Sequence, residues 1–341
     1  MLTILNNLRA CLAQDQMAVM CTIVESSGSA PRGSGARMLV CGNDRLFGTI
    51  GGGELEGRTL AKARELLRGG PGHALLRFDL TSLQAAIGGM ICGGAVQILL
   101  QRLEPESETV DFFQDMAESL DQGKSPVLLT MMPQNHSPQL LMYVAGNRLP
   151  ALPPELLAEL LSRTGKTSMP FCLLHGETKL HAEPLSRPLR LHLAGAGHVS
   201  LATARLADFL GLEVTVIDDR PEFANHERFP MAREVKVIDS FRQCLAGLDA
   251  NDYVVIVTRG HLYDQQVLSQ ALRTDAGYIG MIASRRKRDT LYAALRRDGF
   301  SDQDLLRVHS PIGLPIGGES PEEIALSIMA EIQQFRYMKT E

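Results

Sequence analysis

Residues 190–200 read RLHLAGAGHVS, and this stretch decides the fold of the C-terminal half of the chain. A short apolar strand pattern ends at Ala194, and a helical pattern starts after the glycine turn. Glycines at positions 195 and 197 let backbone N–H groups approach a pyrophosphate at the helix N-terminus. The spacing predicts a Rossmann-type nucleotide-binding unit, with Gly195, Gly197 and the adjacent His198 as cofactor-binding candidates.

An acidic residue is expected about 20 positions after such a turn, at the end of the second strand. Asp218 closes EVTVID at this place, and its carboxylate is a candidate acceptor for a ribose hydroxyl. Asp218 favours an NAD-like ribose, whereas Arg220 leaves NADP open. The alternative is that the turn only joins a strand tightly to a helix, with no nucleotide bound.

Beyond Arg190 the pattern alternates strand and helix, which indicates a parallel sheet with helices on both faces. His261 lies just past a strand, where open α/β sheets bind ligands, and is a cofactor-binding candidate; a loop or capping role is equally open. Residues 284–287, SRRK, also follow a strand, and they suit a phosphate or carboxylate unless they form a solvated helix face.

A triple glycine lies between a strand and a helix in the N-terminal half. Gly51, Gly52 and Gly53 can form an anion-binding nest of consecutive backbone N–H groups. Glu56 lies in the first helical turn that follows, where a carboxylate is stabilised by the helix dipole with or without a ligand. Cofactor binding and simple dipole pairing are both open for Glu56.

A second glycine cluster, GGMICGG at 88–94, surrounds one cysteine. Little bulk shields the Cys92 thiol, so it is the cysteine with the best chance of being reactive; a structural thiol in a tight turn is the alternative. The six cysteines include no Cys-x-x-Cys spacing, which argues against a disulfide framework and a structural zinc site. We expect most of them to be buried small hydrophobes.

The chain has 341 residues, of which 45% are hydrophobic and 21% charged, enough for about two domains. The segment EPLSRPLR at 183–190 carries two prolines and no apolar periodicity, as interdomain segments do. We therefore predict a mixed α/β domain over 1–187 and a Rossmann-type parallel-sheet domain over 188–341. Within the first, 1–104 holds the core motifs and 105–187 is a hairpin-rich continuation.

The charge pattern excludes several partners. The net charge is −5 and the longest basic run is the short RRKR at 285–288, so we expect no nucleic-acid binding. Residues 1–16 are amphipathic and resemble neither a signal peptide nor a membrane span. We expect a cytoplasmic protein that does not bind membranes.

Eight segments together resemble the XdhC/CoxI family across nearly the whole chain. They are ESSGSAPRGSGARMLV (25–40), GTIGGGELEG (48–57), GMICGG (89–94), HAEPLSRPLRLHLAGAGHVS (181–200), VIDDRPEFAN (216–225), VTRGH (257–261), YIGMIASRRK (278–287) and SPIGLPIGGESPEEIALSIMAEI (310–332). By position, Gly51, Gly52, Gly53 and Glu56 correspond to the family's Gly-Gly-Gly-x-x-Glu. Cys92, Gly93 and Gly94 correspond to its Cys-Gly-Gly.

The resemblance implies an accessory protein of a molybdenum hydroxylase such as xanthine dehydrogenase. Such proteins bind molybdenum cofactor, support its sulfuration and hand it to the apoenzyme, so the resemblance implies a chaperone more than a catalyst. The ligand implied is molybdopterin or its cytosine dinucleotide, with Cys92 as a candidate sulfur relay or molybdenum ligand. GMICGG also resembles members linked to selenium-dependent hydroxylases.

The resemblance also implies partners. These are the molybdenum hydroxylase apoenzyme, a cysteine desulfurase and, as a guess from the family, a second copy of the chain. An NAD(P)-dependent oxidoreductase, based on the C-terminal domain alone, is the alternative function.

Overall fold

The computed structural model describes residues 2–28, 32–80, 94–134, 136–147, 149, 152–164, 167 and 169–338. The chain divides into two compact units, Met1–Arg187 and Pro188–Glu341. Each unit has its own sheets and its own hydrophobic clusters. Among the described residues, no helix combines the length and the apolar character needed to cross a bilayer.

The first part of the N-terminal unit is a five-stranded antiparallel sheet with helices on both faces. Its elements are α1 (Leu2–Leu12), β1 (Ala18–Gly28), β2 (Arg37–Cys41), β3 (Leu46–Gly48), α2 (Gly53–Leu67), β4 (His73–Leu80), β5 (Gly94–Leu103) and α3 (Ser107–Asp121). The strand order is β3-β2-β1-β5-β4. Strand β4 is missing from the sequence prediction.

Side chains of β1 alternate between the two faces of this sheet, as the period of a strand requires. Val19, Cys21 and Ile23 pack in one cluster with α2. Ala18 and Met20 point the other way and pack with α1 and α3. Strand β1 is therefore buried on both faces, which explains its nearly continuous apolar sequence.

The second part of the N-terminal unit is a four-stranded antiparallel sheet of order β7-β6-β9-β8. Its elements are β6 (Val127–Met132), β7 (Gln139–Tyr143), α4 (Pro154–Thr164), β8 (Phe171–His175) and β9 (Thr178–Pro184). The two hairpins expected in this region are present as the pairs β6–β7 and β8–β9. Helix α4, which packs on this sheet, was not anticipated.

Two of the cysteines are not free thiols. A disulfide joins Cys11 of α1 to Cys41 of β2, inside the apolar cluster on that face of the sheet. The expectation that the cysteines would be mostly unpaired small hydrophobes needs this correction. The two are 30 residues apart, and only the packing of α1 on the sheet brings their sulfurs together.

A buried ion pair ties the two sheets of the N-terminal unit together. The guanidinium of Arg37, in β2, binds both carboxylate oxygens of Glu183, in β9, and donates to Thr22. The side chains of Arg37 and Glu183 are 2% and 1% exposed, so neither charge is solvated by water. Burial raises the pKa of Glu183, but Arg37 and His181 lower it by more, and the pKa lies below its ordinary value.

The C-terminal unit is a six-stranded, fully parallel sheet. Its elements are β10 (Arg190–Ala194), α5 (His198–Phe209), β11 (Glu213–Asp218), β12 (Glu234–Val237), β13 (Asp252–Ile256), α6 (His261–Ala271), β14 (Tyr278–Met281), α7 (Arg285–Arg297), α8 (Asp302–Leu305), β15 (Val308–His309) and α9 (Pro321–Met338). The order β12-β11-β10-β13-β14-β15 is that of a Rossmann fold, and every pair is parallel.

Helices cover both faces of this sheet, as the alternating pattern predicts. Helices α5 and α9 pack in one apolar cluster, and α6 and α7 pack in the other. The chain runs outward from β10 to β11 and β12, then returns to add β13 on the other side. Ligands of such sheets bind in the crevice outside the carboxyl ends of the strands, where the order reverses. Here that crevice lies between β10 and β13.

The backbone at Gly195 generates a first prediction. Its φ is +112°, and a side-chain carbon there would collide with the carbonyl oxygen of Val257. Gly195→Ala is expected to lower the free energy of unfolding by about 2 kcal/mol. Gly197→Ala is the matched control, because Gly197 has φ −73° and open space where a side chain would point. Calorimetric unfolding curves of both variants check this, and equal transition temperatures would contradict it.

The buried ion pair generates a second prediction. Arg37→Met leaves the Glu183 carboxylate buried without its cation and should lower the free energy of unfolding by about 3 kcal/mol or more. The double variant Arg37→Met/Glu183→Leu should recover most of the loss. Because the pKa of Glu183 is lowered on folding, its stabilising contribution is complete above about pH 5 and disappears as the pH falls through the folded-state pKa. Urea unfolding curves recorded at several pH values measure these free energies. A double variant that is no more stable than Arg37→Met would refute the prediction.

Candidate functional site

The glycine turn after β10 lies at the crevice of the parallel sheet. The N–H of Gly195 donates to the carbonyl oxygen of Ile217 at 2.7 Å, which ties the turn to β11. Ser200 occupies the third small position of the motif, is buried, and its hydroxyl donates to the carbonyl oxygen of Gly195 at 2.5 Å. The serine is therefore compatible with a position that usually holds glycine or alanine, because its hydroxyl bonds α5 to the glycine turn.

The first turn of α5 is open to a ligand. Gly197 is the N-cap residue, and no side chain caps the N–H groups of the helix. His198 is exposed as the first helical residue. Uncapped N–H groups and the positive end of the helix dipole together favour an anion at this place.

The carboxylate of Asp218 is already occupied by the chain itself. One oxygen accepts from the backbone N–H and Nε of Arg220, and the other accepts from Nη2 of Arg220 and from the N–H of Ala196. A carboxylate has about four acceptor positions, so these four bonds fill it. Asp218 is also 2% exposed. A ribose hydroxyl would have to displace Arg220 to reach it.

These bonds fix the protonation of Asp218. Burial raises its pKa, but the hydrogen bonds from Arg220 and from the Ala196 N–H lower it by more, so the pKa lies below its ordinary value. Asp218 is therefore an ionised link between β11 and the glycine turn.

Several cations surround this edge of the sheet. The guanidinium of Arg220 lies 3.9 Å from the ring centre of Phe223, and that of Arg228 lies 4.8 Å from the same ring. Arg228 also donates to the carbonyl oxygen of Ala196 at 3.3 Å, and Arg259 to Asp219 at 2.8 Å. Asp218 and Asp219 pair with Arg220 and Arg259, so Arg228 is the arginine of this group that has no carboxylate partner among the described residues and could meet a phosphorylated ligand.

His261 begins α6 at the same edge, directly after the N-cap residue Gly260. Asp264, one turn further, accepts from the Thr258 hydroxyl at 2.6 Å and forms an ion pair with Lys287. This buried carboxylate fastens together the segments that follow β13 and β14. Lys287, from the segment predicted to hold an anion, is thus engaged by the chain itself.

In the N-terminal unit, the anion in the glycine nest is the chain's own Glu56. Its Oε2 accepts from the Thr49 hydroxyl at 2.6 Å and from the N–H groups of Gly52 at 3.1 Å and Ile50 at 3.2 Å. Burial raises the pKa of Glu56, but these bonds lower it by more. Gly51, Gly52 and Gly53 have φ of +126°, +74° and +61°, a backbone shape that glycine permits.

The Cys-Gly-Gly motif falls largely outside the described residues. Cys92 and Gly93 lie in the segment 81–93, of which the structure gives no description. Gly94 is the first residue of β5, where it pairs with Gly28 of β1. Of the motif, Gly94 alone is therefore placed in the N-terminal sheet.

The free thiols of the described residues are not activated. Burial raises the pKa of Cys21 and of Cys172, and it raises the pKa of Cys244 to about 11. A thiol with a raised pKa is a poor nucleophile and a poor metal ligand near neutral pH. Nor do three histidine, cysteine or acidic side chains of the described ranges come together to hold a metal ion.

A row of three polar side chains lies next to Arg37 and was not predicted from the sequence. The hydroxyl of Ser34 lies 3.0 Å from Nε2 of His181. Nδ1 of His181 lies 3.1 Å from Glu183 Oε1, poorly aligned for a hydrogen bond. Hydroxyl, imidazole and carboxylate follow the order of a serine hydrolase triad.

The surroundings of these three side chains do not suit catalysis. Arg37 already neutralises Glu183, and Nδ1 of His181 makes no well-aligned hydrogen bond to that carboxylate, so the carboxylate does not orient the imidazole as it does in a triad. We therefore interpret these residues as an anchor for the loop around Ser34. The sequence feature that could have revealed the buried ion pair is a charged residue within each of two buried strands, RMLVC and TKLHAEP.

Two family models match the chain. One, described as the XdhC and CoxI family, matches residues 11–79, and the other, described as the XdhC Rossmann domain, matches residues 191–332. Between them they cover more than half of the chain, with one match in each structural unit.

Three curated relatives are similar over most of the chain. The uncharacterized protein YqeB of Escherichia coli K12 is 27% identical over 319 residues, which are 93% of this chain but 43% of YqeB, so the chain spans less than half of that relative. A protein of Bacillus subtilis 168 named as a probable xanthine dehydrogenase subunit is 27% identical over 96% of both chains. The molybdenum cofactor insertion chaperone PaoD of E. coli K12 is 25% identical, over 99% of this chain and 90% of PaoD.

One solved structure has the same fold over nearly its whole length. It is named as a xanthine dehydrogenase, BH1974, from Bacillus halodurans, with a TM-score of 0.79 and 25% identity. The match covers 99% of this chain and 96% of that one. With both family models and a full-length structural match in agreement, the chain belongs to the XdhC/CoxI family.

Proposed function

We propose that the chain is an accessory protein for a molybdenum hydroxylase of the xanthine dehydrogenase type. It binds molybdenum cofactor, supports its sulfuration or selenation, and delivers it to the apoenzyme. The observation that carries the proposal is the uncapped N-terminus of α5 at the glycine turn, in a chain whose relatives include a named molybdenum cofactor insertion chaperone. In this role the chain acts as a chaperone without turnover of its own.

The residues at the glycine turn fit a phosphorylated cofactor. Apart from Gly197 itself and its two chain neighbours, no described residue comes within 4 Å of the place where a side chain on Gly197 would point, so a phosphate has room over the helix N-terminus. Gly195 allows the close turn, and His198 and His261 begin the two helices at this edge. Asp218 acts indirectly, because it holds Arg220 and the turn in place. Both the phosphate of molybdopterin and the pyrophosphate of its cytosine dinucleotide suit this donor set.

The N-terminal unit carries a second set of proposed cofactor-binding residues. Glu56 holds Gly51–Gly53 in an open, positive-φ conformation, and we assign these residues to shaping a cofactor-binding loop. Gly93 and Gly94 follow Cys92, which we propose as the sulfur relay or molybdenum ligand. The bound cofactor supplies the molybdenum centre that receives sulfur or selenium. The chain's own part is to bind the organic ligand and to present a thiol.

The proposal implies three protein partners. The hydroxylase apoenzyme receives the cofactor, and a cysteine desulfurase supplies the sulfur. A second copy of the chain is the third, as a homodimer. All three are inferred from family membership.

The alternative is an NAD(P)-dependent oxidoreductase. The Rossmann strand order and the glycine turn favour it. Its main difficulty is Asp218, whose acceptor positions are filled by Arg220 and the Ala196 N–H. Calorimetric titration with NADH and NADPH separates the two functions, since tight binding with hydride transfer would favour the oxidoreductase.

The first test is cofactor loading. Chain coexpressed with molybdenum cofactor biosynthesis should release a fluorescent pterin after oxidation. Gly197→Asp should weaken binding about tenfold or more, because it brings a carboxylate to the anion position. Gly197→Ala, which adds bulk without charge, is the matched control. Wild-type chain that holds no pterin, and cannot be loaded with it, would rule the proposal out.

The second test concerns Cys92. Cys92→Ser keeps the side-chain volume but removes thiolate chemistry, so the variant should fold and bind pterin normally. Delivery of active cofactor should fall sharply, measured as hydroxylase activity after reconstitution. Cys244→Ser is the matched control, since its thiol has a raised pKa. Full hydroxylase activity with Cys92→Ser would remove Cys92 from the mechanism.

A further inference from the structure

Helix α7 has an unusual charge for this chain. Its 13 residues include six basic side chains and one acidic one, whereas the whole protein has a net charge of −5. Its sequence is RRKRDTLYAALRR. The proposed cofactor site accounts for none of this charge beyond Lys287, which pairs with Asp264.

A groove of about 680 Å³ runs along α7, with Gln265 of α6 on its other side. Leu291 and Ala294 form an apolar floor in the middle of the groove. Arg286 lines one end and Arg297 the other. A partly apolar groove with cations at both ends is a recognition surface for a chain segment of opposite charge.

Only some of these cations are satisfied within the chain. Arg288 pairs with Asp289 and Arg296 with Asp302. Arg286 and Arg297 are exposed, and no acidic side chain of the described residues pairs with either of them. Arg285 is exposed and likewise has no acidic partner among the described residues, so three arginines of α7 are left to meet a partner, and two of them, Arg286 and Arg297, line the groove.

Their spacing defines the partner. Arg286 and Arg297 are eleven residues apart, which is three helical turns and about 16 Å on one face of α7. We propose that this groove docks an acidic, amphipathic segment of a partner protein. The segment carries two carboxylates about 16 Å apart, with apolar side chains between them that pack on the groove at Ala294.

A protein segment fits the groove better than a nucleic acid does. Phosphate backbones are neutralised by rows of many cations, whereas this face offers two unpaired arginines around an apolar floor. The natural partner would be the hydroxylase apoenzyme, and this identification rests on the proposed function. The docking surface itself does not, because it lies on residues outside the proposed cofactor site.

The test uses a synthetic helical peptide of about 16 residues, with two glutamates eleven residues apart and leucines between them. It is titrated into the full-length chain and followed by fluorescence anisotropy at low salt. The double variant Arg286→Glu/Arg297→Glu should weaken binding about tenfold or more. Arg68→Glu/Arg205→Glu changes the net charge equally on exposed sites elsewhere and should bind like the wild type.

Three results of the peptide titrations would overturn the docking surface. They are no peptide binding, equal binding by the two double variants, and equal binding of a scrambled peptide that keeps the composition but not the spacing. An oligonucleotide of equal charge that competes as well as the peptide would also overturn it. Thermal unfolding of each variant verifies that the fold is retained. Peptide binding by a chain that holds no pterin would leave the docking surface standing and remove the proposed function.

Discussion

The close approach of Gly195 to the carbonyl of Val257 is the constraint on which the C-terminal unit depends. The backbone turns there at φ +112°, in a space where a side chain would collide with the end of β13. Because the turn is this tight, α5 begins at the crevice between β10 and β13, with its N–H groups uncapped. The tight packing at Gly195 therefore also sets the position of the helix N-terminus that would bind an anion.

Internal carboxylates hold the backbone of the candidate binding loops in shape. Asp218 fastens β11 to the glycine turn, Glu56 fills the nest of Gly51–Gly53, and Asp264 joins the segments after β13 and β14. The sequence pattern made two of them, Asp218 and Glu56, candidates for binding a ligand. In the folded chain they accept hydrogen bonds from their own loops, so they organise the loops, and the uncapped N–H groups of α5 remain for the proposed ligand.

The sequence predicted the Rossmann unit because its signals are local: a strand, a glycine turn, a helix and an alternating pattern. Contacts between residues that are distant in sequence were not predicted. Cys11 and Cys41 meet only through the packing of α1, and Arg37 meets Glu183 across 146 residues. For Asp218 the position was right, but its hydrogen bonds to Arg220 depend on side-chain geometry that spacing does not encode.

The proposed function requires this fold to hold a molybdenum-associated pterin in preference to a nicotinamide. Mass spectrometry of the small molecules released from the native, coexpressed chain measures this directly. Molybdopterin or its cytosine dinucleotide, recovered in near-equal amount to the protein, is the result predicted. Recovery of NAD(H) or NADP(H) with no pterin would contradict the account.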